Sequence, residues 1–281
     1  MYQAQITRTR KRAIIILLDR SGSMAEETLF ERRKTTKAEA LADVTNLLIE
    51  EIINHSHRDR YIGDYFDVGV IGYSDEKATA LLGGGMHRIV DLDAMNTPLK
   101  NIQLQRTLPS GAYCSTLVDR RQWITPEAKG RTPMGDALRM AKRMCATWCR
   151  KHPESFPPIV INITDGEATD ASREELIKLA ESIKSVGTQD GKTLLMNIHI
   201  ISKYDNISES LRFPAEGETL PVNRHAKLLY EMSSPLPEIY NIPIMELRGG
   251  TPPFRAVCYN SSLGELFSLL SIGSLNSHQI L

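Results

Sequence analysis

Residues 13–18 (AIIILL) form an unbroken apolar run, rich in isoleucine, that stops at Asp19. A strand with one wet face alternates apolar and polar residues. A short run without alternation reads as a strand buried on both faces, as in a parallel sheet. Residues 66–73 (FDVGVIGY), 159–163 (IVINI) and 194–201 (LLMNIHII) read the same way. Between these runs the apolar spacing is helical. Leu41, Val44, Leu48 and Ile52 share one face of a helix over residues 36–53. Met134, Leu138, Ala141, Cys145 and Trp148 share a face of a second helix, opened by Pro133. Ser172-Arg173-Glu174-Glu175 is a capping box, and the helix it starts carries Leu176, Leu179, Ile183 and Val186. Strands alternating with helices give an α/β fold: a doubly wound, mostly parallel open sheet with helices on both faces.

The 281 residues suit a single domain over 1–281, and no repeat or linker divides them. Weaker strand signals lie at 79–82 and 87–90, around a turn at Gly83-Gly84-Gly85. Residues 93–129 read as a less regular connection. The pattern then weakens, and an irregular excursion is expected at about 205–253, with five prolines between 235 and 253. A helix at 224–232, a last strand at 255–259 and a last helix at 263–271 complete the expectation.

Lys plus Arg and Asp plus Glu both total 34. That balance argues against a dedicated nucleic-acid binder, which needs a basic surplus. No apolar stretch reaches the length of a membrane span or of a signal-peptide core. The four cysteines (114, 145, 149 and 258) follow neither a zinc-ribbon nor a disulfide pattern. Cys145 and Cys149, one helical turn apart, read as core thiols, and the compartment expected is a reducing cytoplasm.

Ligands of doubly wound sheets bind at the carboxyl ends of the strands. Past the first run comes Asp19-Arg20-Ser21-Gly22-Ser23. Past the 159–163 run comes Thr164-Asp165-Gly166-Glu167. Before the second helix comes Gly130-Arg131-Thr132-Pro133-Met134-Gly135. Brought to one edge, these loops present two carboxylates, Asp19 and Asp165, and three hydroxyls, Ser21, Ser23 and Thr132. Every candidate ligand is oxygen, which suits Mg²⁺, with Mn²⁺ as a substitute. Two carboxylates only just neutralise such an ion, so it can accept a further anionic oxygen. Thr132-Pro133 also reads as a helix cap with a first-position proline. Glu167 and Asp170 read either as acceptors supporting the site from behind or, in preference, as solvated loop charges, and Asp136 as a first-turn residue favoured by the helix dipole.

The Asp-x-Ser-x-Ser, the mid-chain Thr and the later Thr-Asp-Gly resemble the metal-ion-dependent adhesion site of von Willebrand factor A domains. The longer forms, Thr-Pro-Met-Gly and Thr-Asp-Gly-Glu, are most similar to bacterial intracellular members of the tellurium-resistance-associated type. The resemblance implies a Rossmann-like vWA fold and protein binding through the metal rather than catalysis. It implies a partner protein that contributes a carboxylate, with a kinase, a phosphatase or an AAA+ ATPase as family associates. The chain departs from the pattern in a polar segment at 26–37 (EETLFERRKTTK), which either rims the site or is a solvated loop. Two other functions stand beside this one: a Mg²⁺-dependent phosphohydrolase, and a structural subunit with an unused metal site. Hydrolases of the haloacid dehalogenase type need a carboxylate two residues after the nucleophilic Asp. Ser21 stands there, and a hydroxyl lacks the pKa for that work.

Overall fold

Every residue of the first strand is buried, as its unbroken apolar run requires. In the computed structural model that run is the centre of a sheet. The structure describes residues 1–30, 33–58, 60–107, 113–166, 168–200, 210–221 and 225–261. Eight strands build the sheet: β1 (Arg12–Asp19), β2 (Phe66–Ser74), β3 (Lys77–Ala80), β4 (His87–Arg88), β5 (Ile159–Thr164), β6 (Leu194–Ile200), β7 (Leu211–Arg212) and β8 (Val257–Ser261). They run in the order β7-β8-β6-β5-β1-β2-β3, with β4 also paired to β2. The β8-β6, β6-β5, β5-β1 and β1-β2 pairs are parallel. Only the short flanking strands β3, β4 and β7 are antiparallel.

Alternation along β1 divides the core. Ile14, Ile16 and Leu18 face one side and pack with Leu41, Leu48 and Ile52 of α1 (Lys37–Ser56). Ile15 and Leu17 face the other, where α3 (Met134–Lys151) and α4 (Arg173–Lys184) lie. There they meet Met134, Leu138 and Ala141 and, beyond them, Leu176, Ala180 and Ile183. The helices in chain order are α1, α2 (Ile89–Ala94), α3 (Met134–Lys151), α4 (Arg173–Lys184), α5 (Ala226–Met232) and α6 (Asn241–Arg248). The capping box read at Ser172 is present, with Glu175 N–H donating to Ser172 and Ser172 N–H donating to Glu175. A second box, Thr36 with Glu39, starts α1. It too is spelled in the sequence, as Thr-x-x-Glu.

Two expectations are corrected, and one left open is narrowed. The connection at 93–129 contains a long antiparallel ribbon, Leu99–Thr107 with Tyr113–Arg121. In the polar segment at 26–37, read either as a rim of the site or as a solvated loop, Glu27–Phe30 pairs antiparallel with Arg33–Thr36. Within 235–253 the chain forms a short 3-10 turn and then α6. Pro243 is the third residue of α6, where its missing N–H would have had no helical partner in any case. The helix expected at 263–271 lies outside the described residues.

From β1 the chain passes through α1 to β2 on one side. The later β5 and β6 lie on the other side, so strand order reverses between β1 and β5. That is the position at which open α/β sheets form a crevice. A strap leads into it from the ribbon. Asn46 of α1 accepts from Trp123 N–H and Ile124 N–H and donates to the Ile124 carbonyl, at 2.8–2.9 Å. Further along, Lys129 N–H donates to Arg20 O and Gly22 N–H to Gly130 O, both near 3 Å. Gly130 has φ +63°, and a Cβ there would collide with Asp75. Glycine is therefore required where the strap passes the first loop.

Asn46→Ala leaves two buried N–H groups and a carbonyl without partners. It is expected to destabilise the fold by roughly 3 kcal/mol, seen as a lower urea midpoint at unchanged slope.

Candidate metal centre

Parallel register carries two loops to the same place. Leu18 is the neighbour of Ile163, so Asp19 and Thr164 emerge side by side. Thr164 Oγ1 donates to Asp19 Oδ2 at 2.7 Å. Asp19 Oδ1 accepts from Ser21 N–H at 3.0 Å, which bends the first loop back over the strand end. Ser21 Oγ lies 3.1 Å from Ser23 Oγ, and Ser23 Oγ donates to Asp165 Oδ1 at 2.8 Å. Four of the five expected residues thus form one connected cluster. Asp19, Ser21 and Thr132 are buried, while Ser23 is exposed.

Thr132 has no bond to these four; its backbone is tied to Thr169, four residues beyond Asp165. Its N–H donates to Thr169 Oγ1 at 3.0 Å, and its carbonyl accepts from Thr169 N–H at 2.9 Å. The strap is thereby tied to the loop that carries Asp165. Among the described residues the Thr132 hydroxyl makes no hydrogen bond. The expected Thr132 cap of α3 is corrected, because no side chain of the preceding residues caps that helix. The cap comes from the other loop. Asp170 Oδ1 and Oδ2 accept from Gly135 N–H and Asp136 N–H, each at 2.9 Å. A carboxylate on a helix N-terminus is favoured by both the open N–H groups and the dipole. Asp170, though exposed, is therefore also a structural clamp on the start of α3. Asp136, in the first turn of α3, accepts from Ala78 N–H at 2.9 Å and anchors β3. Glu167 lies outside the described residues.

The hairpin at 26–37 settles the choice left open for that segment. Its two ends deliver Glu26 and Lys37 to the site. Lys37 Nζ donates to Asp165 Oδ2 at 2.6 Å and pairs with Glu26 Oε2 at 2.8 Å. The Lys37 and Asp165 side chains are only 3% and 2% exposed, against 45% for Glu26. Sequence spacing gave no sign of this pair, whose members lie 128 positions apart.

Charge in the cluster is unevenly satisfied. Burial raises the Asp19 carboxyl to about 6, and the nearby Asp165 carboxylate pushes in the same direction. The bonds from Ser21 and Thr164 only partly oppose this. Burial alone would lower the Lys37 pKa, but Asp165 and Glu26 override it and leave it raised. Tyr73, directly behind the site, is raised by burial and by Asp19. It donates to Asn162 Oδ1 at 2.9 Å, and Asn162 donates to Asn197 at 3.0 Å. This buried polar chain forms the floor of the site.

The donor set fits a small hard cation. Octahedral Mg²⁺ with oxygens at about 2.1 Å places neighbouring ligand oxygens about 3 Å apart. The Ser21–Ser23 and Ser23–Asp165 oxygen separations, 3.1 and 2.8 Å, are of that size. The poorly compensated Asp19 carboxyl points the same way. Among the described residues no three His, Cys, Asp or Glu side chains gather into a metal cage. A cation here would depend on the hydroxyls. Cys145, Cys149 and Cys258 are buried and in no disulfide. Burial pushes Cys149 up to about 11 and Cys145 higher, so neither is a thiolate ligand at neutral pH. The side chain of Cys114 lies outside those described.

No family model matches the chain, and no curated protein matches it. Solved structures give distant likenesses. A von Willebrand factor type A protein from Catenulispora acidiphila is 18% identical with TM-score 0.42, over 69% of this chain and 34% of that one. Proximal thread matrix protein 1 from the mussel byssus is 15% identical with TM-score 0.37, over 69% and 37%. The vWF domain of the type V pili tip protein Mfa5 from Porphyromonas gingivalis is 12% identical with TM-score 0.35, over 57% and 39%. The chain spans less than two-fifths of each of these structures. The α/β architecture is carried by the strand order and register described above. Among the described residues no helix is long and apolar enough to cross a membrane.

The raised Asp19 pKa has a sign that can be tested. The folded chain holds this proton more tightly than the unfolded chain, whose carboxyl titrates near 3.8. The ionised carboxylate therefore opposes folding, with no cost below pH 3.8 and the full cost above about 6. In EDTA, Asp19→Asn is expected to be more stable than wild type at pH 8, by up to roughly 3 kcal/mol. The advantage should vanish near pH 4 in urea denaturation series run at both values.

Proposed function

We propose that this chain is a metal-dependent protein-binding module. Asp19, Ser21, Ser23, Thr132 and Asp165 hold Mg²⁺, or Mn²⁺ in its place, and a carboxylate of a partner protein completes the site. The observation that carries the reading is the oxygen cluster itself. Asp19, Ser21, Ser23 and Asp165 are linked by hydrogen bonds at the strand-order reversal, and Thr132 lies on the strap tied to the Asp165 loop; that arrangement supports the reading.

Each residue has a definite task. Asp19 and Asp165 supply the negative charge that attracts a divalent cation. Ser21, Ser23 and Thr132 supply neutral oxygens, so charge is not exhausted within the protein. Thr164 and the Ser21 N–H orient Asp19, and Asp170 fixes the start of α3 beside Thr132. The metal, when bound, acts as an electrophile toward one more anionic oxygen. A glutamate or aspartate on a partner surface is the ligand of matching charge and size. This is the adhesion-site mode of the vWA family that the motifs resemble. The tellurium-resistance-type bacterial members are the subgroup we favour, with a cytoplasmic setting and a kinase, phosphatase or AAA+ ATPase as the associate.

An enzyme is the less favoured reading. The residue two after Asp19 is Ser21, whose oxygen lies in the cluster and cannot serve as a carboxylic acid–base. Hydrolysis of p-nitrophenyl phosphate that required Mg²⁺ and vanished in Asp19→Asn would replace the binding reading with a catalytic one.

Calorimetry should show Mg²⁺ and Mn²⁺ binding with one site per chain. Asp165→Ala and Asp19→Ala should each weaken it by roughly tenfold or more, and Ser23→Ala by less. Cation binding that all three variants retain unchanged would place the metal elsewhere.

A further inference from the structure

Lys37 is a buried lysine, a rare thing unless the charge is paired. It is also the first residue of α1, where the positive end of the helix dipole opposes a cation. Neither helix formation nor burial of apolar surface accounts for it. What the position provides is contact with the site: Nζ is 2.6 Å from Asp165 Oδ2 and 2.8 Å from Glu26 Oε2. The backbone is built to hold it there. Glu27 and Thr36 are opposite one another at the base of the hairpin, and Lys37 N–H donates to Glu26 O at 3.0 Å. Thr36 then caps α1, so the hairpin base, the helix start and the ammonium group form one rigid unit.

Resting on the metal-binding reading above, we propose that Lys37 is a tethered cation that sets the charge of the site. It lowers affinity for the divalent ion and raises the affinity of the loaded site for a carboxylate. The chemistry is additive charge. Asp19 and Asp165 together only neutralise a divalent ion, and such a site attracts an anion weakly. Lys37 adds one buried positive charge in direct contact with Asp165, so the loaded cluster carries a net positive charge before Glu26 is counted. The same charge repels the incoming metal. Glu26 opposes both effects, in part, because its carboxylate is far more exposed and screened. The residues of the 26–37 segment thereby shift selectivity from binding metal tightly to gripping an acidic ligand once metal is present.

Two substitutions of opposite sign test this on the full chain. Lys37→Met removes the charge while keeping the apolar stem. Glu26→Gln, at an exposed position, removes the opposing charge without burying anything unpaired. Mg²⁺ affinity is read by calorimetry. Acetate, the probe for a partner carboxylate, is titrated into the Mn²⁺-loaded protein and followed by water-proton relaxation. Lys37→Met should bind Mg²⁺ about tenfold more tightly and acetate about tenfold more weakly. Glu26→Gln should do the reverse by a few-fold, and Lys37→Arg should stay near wild type in both. Wild-type binding of Mg²⁺ with neither affinity moved by Lys37→Met or Glu26→Gln would overturn the role of Lys37 and leave the metal reading standing. If Lys37→Met is poorly folded, Glu26→Gln alone decides through the sign of its two shifts. Absence of Mg²⁺ and Mn²⁺ binding in wild type and in every variant would overturn the metal reading and this role together. Binding gained only in Lys37→Met would support the tethered charge and show that it outcompetes the ion.

Discussion

Asp19 and Asp165 are both held out of water at one end of the sheet, and the surrounding structure is arranged around that difficulty. A buried carboxylate must be hydrogen-bonded or paired, or it destabilises the fold. Asp19 receives a hydroxyl and a backbone N–H, and its pKa still rises to about 6. Asp165 receives a hydroxyl and an ammonium group. The two are therefore unequal. One is matched by a charge of opposite sign, and the other by dipoles alone. The shortfall at Asp19 leaves its negative charge poorly compensated, and the match at Asp165 holds that loop in shape.

Loop tethering follows from the same need. Three segments meet at the site, and each is fastened to another by backbone. The strap bonds to the first loop through Gly130 and Lys129, and to the Asp165 loop through Thr132 and Thr169. Asp170 then secures the start of α3. Such bonds hold the oxygens of the three loops in fixed positions. They also leave the hydroxyls, rather than the backbone, to meet whatever arrives from solvent.

Much of this was legible in the sequence because buried parallel strands cannot hide. Residues 13–18 and 159–163 lack the alternation of a half-wet strand, and both proved central. The five site residues stood out because each follows a strand or precedes a helix at the edge where such folds bind ligands. What escaped was long-range or counter to local preference. Lys37 reads locally as an ordinary polar residue before a helix, and nothing in its neighbourhood names Asp165. Thr132-Pro133 has the local form of a cap, yet the cap is supplied by Asp170 from another loop. The ribbon from Leu99 to Arg121 pairs mostly polar residues such as Lys100 with Arg120 and Asn101 with Asp119, so no apolar period announced it. Pro243 suggested irregular chain but sits in the one turn of a helix that tolerates it.

The bond between Thr164 and Asp19 joins residues 145 positions apart, and that separation has a meaning in time. A ribosome adding about 5–20 residues per second releases the Asp19 loop on the order of ten seconds before the Asp165 loop exists. Throughout that interval the Asp-x-Ser-x-Ser segment is half a site. Closing so long a loop is entropically costly and is repaid only when β5 docks beside β1. The site is therefore among the last features to form. A nascent or truncated chain ending before β5 would carry the recognisable motif without the Asp165 loop, so under the proposed function partner binding would report that β5 had docked beside β1.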